Sequence, residues 1–129
     1  MVELALVLPV FLLVLCGILD FGFMLFSRMS VINAAREGAH AAMLETTHSL
    51  IVTDAQNSAS AQALAGGITL PASNVTVTCI HGGTTVGCSS ASAGDSVNVV
   101  ATYQYKSFFP LLFGTSFNLS SSVQMVIEQ

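Results

Sequence analysis

Cys79 and Cys88 close a short loop in a Ser/Thr/Gly-rich stretch, with His81 between them. Two thiols at this spacing fit a disulfide formed outside the cytoplasm. The alternatives are two free thiols or a zinc site. Structural zinc wants four ligands, and no fourth ligand lies near Cys79, His81 and Cys88 in the sequence. Glu3 and Asp20 are two carboxylates set in or beside an otherwise uncharged apolar run. A carboxylate at such a place is expensive and usually has a partner or a function. Glu3 could pair with a chain-terminal amine, or it could be held by the positive end of a helix dipole. Asp20 could pair with Arg28 or with a neighbouring chain, or it could sit at a membrane–water boundary. Arg36 and Glu37 are adjacent charges that read either as a solvated helix face or as an inter-subunit bridge. Chemistry of other kinds finds little support. The sequence has no G-x-S-x-G, no H-E-x-x-H and no phosphate loop. His40, His48 and His81 are scattered, so neither an enzyme nor a metal or cofactor site is expected.

The elements that must position these residues start with the apolar run. From Leu4 to Leu19 it reads LALVLPVFLLVLCGIL, and FGFMLF follows Asp20. As helix, a run to Phe26 is roughly 35 Å long, enough to span a bilayer. It lacks the basic start and small-residue end of a cleavable signal peptide. Cys16 lies inside it as a buried thiol, and Pro9 predicts a kink or a loosened turn. A helical pattern continues past Arg28, where Ile32, Ala35, Ala39 and Met43 recur at three-to-four spacing. Many small residues there permit close helix packing. One helix from about Val2 to about Glu45 is therefore expected, roughly 65 Å long.

Residues 46–129 read as an outer domain. Thr53 and Gln56 look like a capping box that opens a short Ala-rich helix over residues 54–65, stopped by Gly66-Gly67. The period then changes to two over residues 74–128. Val75, Val77 and Cys79 form one alternating set. Val97, Val99, Ala101, Tyr103 and Tyr105 form a second. Phe117, Leu119, Val123, Met125 and Ile127 form a third. Three principal strands are predicted, each with one apolar face. The connector from Lys106 to Thr115 is too apolar for a solvated loop and should pack on the helix or on a neighbouring subunit. The fold class is α+β: a long apolar helix, a short helix and a small antiparallel sheet.

Composition agrees with an anchored or assembled chain. Of 129 residues 53% are hydrophobic and 8% charged, where about a quarter charged is usual. Few charges fit a surface hidden in a membrane or an assembly. Net charge is −4, with only Arg28, Arg36 and Lys106 positive. No basic patch is available for phosphates, which argues against nucleic-acid binding.

Three ordered motifs then suggest a family. Val2 through Pro9, Gly17 through Gly22 and Asn33 through Ala39 read VELALVLP, GILDFG and NAAREGA. The chain resembles the TadE-like pilins of the tight-adherence (Tad) branch of type IV pili over about its first third. The acid that usually stands fifth in processed type IV pilins is third here, which leaves the processing site open. The resemblance implies a precursor held in the inner membrane, leader removal by a prepilin peptidase, and extraction by a Tad-type assembly machinery. The product would be a self-associated helical homo-polymer, a filament on the cell surface that serves adhesion. Glu3, Asp20, Arg36 and Glu37 are then the candidate assembly residues. A minor pseudopilin and a single-span membrane protein with a ligand-binding outer domain are the competing readings.

Overall fold

The computed structural model describes residues 2–110 and 114–128, and the side chains of residues 2–5 lie outside that description. Helix α1 runs over Val2–Leu44 and passes through Pro9 without a break. Helix α2 spans Ile51–Ala65. Four strands follow: β1 Val75–His81, β2 Thr84–Val86, β3 Ser96–Lys106 and β4 Ser116–Val126. They make one antiparallel sheet in the order β2-β1-β3-β4. The architecture is α+β, as the change of period implies.

The two halves of α1 live in different surroundings. Leu6, Phe11, Ile18 and Phe21 are each more than half exposed. From Ser27 onward one face is buried, through Val31, Ala34, Ala35, Ala39 and Ala42. This stripe is turned by about one residue from the predicted one. Ala35 and Ala39 lie on it, while Ile32 and Met43 sit at its half-buried margin. The reason is size. Ala55, Ala59 and Ala63 of α2 are fully buried, so helix backbones pack through small residues and exclude bulkier ones. Gly38 stands at the centre of this contact. A Cβ there would lie 2.9 Å from the Ala55 carbonyl oxygen and 3.1 Å from the Ala59 Cβ. Ser30 closes the same interface, where its hydroxyl donates to the Gly66 carbonyl at 2.8 Å.

The start of α2 differs from the capping-box reading. Leu50 is the N-cap and offers no side-chain bond, so Thr53 and Gln56 fall inside the helix. Ile51 is fully buried, and burying it extends the helix to include residues that lack helix preference. Gln56 instead ties α2 to the sheet, donating from Nε2 to the Val75 carbonyl at 3.0 Å.

The alternating sets occupy the predicted faces. Val75, Cys79, Val97, Val99 and Ala101 are buried against the helices, with Val77↔Val99 and Val99↔Val123 in register. Strand β2 is an addition to the three predicted strands. Gly82 and Gly83 have φ of 55° and 85°, the conformation of a two-residue hairpin turn, and they fold Thr84 back onto His81. A strand of three polar or half-buried residues carries no periodic signal of its own.

Candidate assembly site

Asp20 is 5% exposed although it sits in the apolar half of α1. The outer domain comes down to meet it. The Tyr105 hydroxyl donates to Asp20 Oδ1 at 2.5 Å and lies 3.2 Å from the Asp20 carbonyl. The Ser107 hydroxyl donates to Oδ2 at 2.5 Å, and the Phe108 amide donates to Oδ1 at 3.3 Å. Ser107 Oγ in turn accepts from the Phe109 amide at 3.1 Å. Both carboxylate oxygens are therefore satisfied within the chain, by the end of β3 and the turn after it. The sequence supplied the need for a partner but pointed to Arg28 or to another chain. Tyr105 was legible as a core position of β3, but its hydroxyl role and that of Ser107 were not. The missing signal is a long-range one, because Asp20 and Tyr105 are 85 residues apart.

Burial first, and then the Asp20 carboxylate, push the Tyr105 phenol up to about 12 from its ordinary value of 10.0. The unfolded chain loses this proton near pH 10, whereas the folded chain holds it. The stability this contributes is complete below pH 10 and disappears as pH rises toward 12. Titration of phenolate absorbance should show a late step near 12, absent from Tyr105→Phe. A single step near 10 in the wild type would contradict the buried, carboxylate-facing phenol.

Beside this anchor Gly17, Phe21, Met24 and Phe117 complete, with Asp20, an apolar recess of about 240 Å³. The rings of Phe23 and Phe108 stand 5.3 Å apart. The connector after β3 thus packs on α1, as its composition suggests, through Phe108. Its residues 111–113 lie outside the described residues.

The other candidate residues are placed separately. Glu3 is in the first turn of α1, and its side chain lies outside the described residues. Arg36 and Glu37 are exposed on α1, with no hydrogen-bond or ion-pair partner among the described residues. The motif that contains them divides cleanly. Ala34, Ala35, Gly38 and Ala39 face α2 and the sheet, while Asn33, Arg36 and Glu37 face outward. Among the described residues, neither Arg36 nor Glu37 is brought together with Asp20.

At the far end of the sheet Cys79 and Cys88 form a disulfide that brackets the β1–β2 hairpin. His81 does not join them. Its Nδ1 meets Asp95 Oδ1 at 2.5 Å, while Asp95 Oδ2 accepts from the Ser92 amide at 2.8 Å. The Ser92 amide first and His81 second hold the Asp95 carboxyl below its ordinary range. Among the described residues no group of three His, Cys, Asp or Glu is placed to hold a metal. Opening the disulfide frees a loop with a sequence separation of 9 in the unfolded chain. Loop-closure entropy then predicts that Cys79→Ser/Cys88→Ser costs about 2–3 kcal/mol. Denaturant titration checks this, and an unchanged midpoint would show that the link constrains nothing.

α1 is long and apolar enough to cross a membrane, and it is bare where a membrane would surround it. No curated protein and no solved structure matches the chain. Residues 1–40 match the family described as TadE-like protein. The family model thus covers VELALVLP, GILDFG and NAAREGA together, and over residues 1–40 the chain is similar to that family.

Proposed function

We propose that the chain is the structural subunit of an extracellular Tad or type IV pilus-like filament. The observation that carries this is the division of α1. One half is packed into the chain's own domain, and the other presents a broad apolar surface that the outer domain covers only around Asp20. Such a surface needs a second environment. In the precursor this is the inner membrane, and in the product it is the same helix of neighbouring copies. Each buried Å² of apolar surface contributes about 25 cal/mol, so even partial burial of this half drives association. The role is structural rather than catalytic, and adhesion is exercised by the assembled surface. A prepilin peptidase and a Tad-type assembly machinery act on the chain as cargo. Residues 1–45 serve as anchor and filament core, and residues 46–129 serve as the outer domain.

Isolation of native material tests the reading. Fibres with this chain as main component support it. A trace of the chain at filament ends points to a minor pseudopilin, and a detergent-soluble monomer points to a single-span receptor. Within the filament, Glu3 pairs with the terminal amine of an adjacent copy, while Arg36 and Glu37 are available to a neighbour's outer surface. Burying a lone carboxylate in a dry core costs several kcal/mol, so pairing sets one axial register and penalises the others. Glu3→Gln should insert normally but give few filaments. Abundant, regular filaments from this variant would show that helix packing alone fixes the register.

A further inference from the structure

The end of the sheet that holds Asp20 lies alongside the apolar run of α1, not beyond it. Tyr105, Ser107 and Phe108 reach Asp20, and the Phe108 ring meets Phe23. The apolar run continues to Phe26, which is about 9 Å further along a helix. From Leu6 to Phe26 the helix is about 30 Å long, the thickness of a hydrocarbon core. A span that uses this length draws the end of β3 and the start of β4 down to the depth of the headgroup–acyl boundary, about 5–10 Å.

The groups exposed there suit that zone. Phe108 is 65% exposed and Phe117 is 40% exposed. Phe108 shares a groove with Phe23, Phe26 and Lys106. Of the chain's three Lys and Arg residues, two flank the same boundary: Lys106, at the end of β3, and Arg28, just past Phe26. Both are exposed. Apolar rings with long cationic side chains beside them match acyl chains next to anionic phosphates, because a lysine or arginine stem can lie along apolar surface while its charge reaches the headgroups. We propose that the β3–β4 end of the sheet is a second membrane-contacting element. Phe108 and Phe117 enter the lipid boundary beside α1, and Lys106 and Arg28 rest on anionic headgroups. This rests on the reading of α1 as a membrane span. The Asp20 anchor gives the element its purpose, because it fixes the outer domain to the helix at one depth.

The chain contains no tryptophan, so single tryptophans report cleanly. The full chain is placed in phosphatidylethanolamine–phosphatidylglycerol vesicles carrying lipids brominated at shallow or deep acyl positions. Four variants are compared: Phe108→Trp, Phe117→Trp, Phe11→Trp within the span, and Thr85→Trp on the exposed strand β2. Brominated acyl chains should quench Phe108→Trp and Phe117→Trp severalfold more than Thr85→Trp, and they should quench Phe11→Trp as the reference for the span. Quenching of Phe11→Trp with Phe108→Trp and Phe117→Trp no different from Thr85→Trp overturns the proposal and leaves the span intact. Blue-shifted emission at Phe108→Trp without lipid quenching means that a second copy covers the site, and this also overturns it. Absence of quenching at Phe11→Trp removes the span itself, and the proposal with it.

Discussion

Gly38→Val will lower the thermal midpoint of the detergent-solubilised chain by on the order of 15 °C, as followed by circular dichroism. Gly38 lies where α1, α2 and β3 converge. The first atom of any side chain would meet the Ala55 carbonyl oxygen at 2.9 Å and Val99 Cγ1 at 3.3 Å. The nearest obstacle is backbone, which cannot swing aside as a side-chain tip can. Glycine in a helix ordinarily costs up to about 1 kcal/mol against alanine, so substitution alone should stabilise. Here overpacking opposes that gain. Added methyl groups in a filled interface cost about 1–3 kcal/mol, and valine adds three carbons at once. A loss near the top of that range, about 3 kcal/mol, gives the stated shift for a domain of this size. Gly22 supplies the contrast on the same helix, since a Cβ there meets nothing within 4 Å. Gly22→Ala should leave the midpoint unchanged or raise it. Equal responses at the two positions would mean that the helix interface is looser than its distances indicate.

The same residues explain what could be read in advance. Alternation in Val97, Val99, Ala101, Tyr103 and Tyr105 is local, and local period decides which face of a strand is apolar. So strands β1, β3 and β4 and their inward residues were legible. The length and continuity of α1 were legible for the same reason. The stripe on its second half was off by one residue because alanine, glycine and serine carry little hydrophobic contrast. Which of them face inward depends on how closely another helix approaches, as Ala55 and Ala59 approach Gly38. The N-cap of α2 was misplaced because Ile51 is held by tertiary burial that Thr53 and Gln56 do not reveal. Strand β2 depends on two positive-φ glycines and not on any pattern of its own. For Asp20 the type of residue announced a cost, and only the fold shows which groups meet it.

Asp20→Ala will destabilise the attachment of the outer domain to α1 by about 2–3 kcal/mol, read from denaturant unfolding of the full chain in detergent. The carboxylate receives three hydrogen bonds, two of them from hydroxyls at 2.5 Å. Bonds to an ionised acceptor are each worth about 1.5–3 kcal/mol, but removing the charge also removes its burial cost, so the sum is smaller than three such bonds. What alanine leaves behind is a buried Tyr105 hydroxyl with only the weaker contact to the Asp20 carbonyl. An unsatisfied buried hydroxyl costs about 1–3 kcal/mol by itself. Removing both partners should therefore hurt less than two separate losses. In the cycle of Asp20→Ala, Tyr105→Phe and their double variant, the coupling should reach about 1.5 kcal/mol or more. A Phe109→Ala change, which keeps the Asp20 bonds, should not couple to Asp20→Ala beyond a few tenths of a kcal/mol. Strict additivity of Asp20→Ala and Tyr105→Phe would mean that the two groups merely lie close. The sheet would then be held to α1 by apolar packing at Phe23 and Phe108, with no role for the carboxylate in fixing the depth of the domain along the helix.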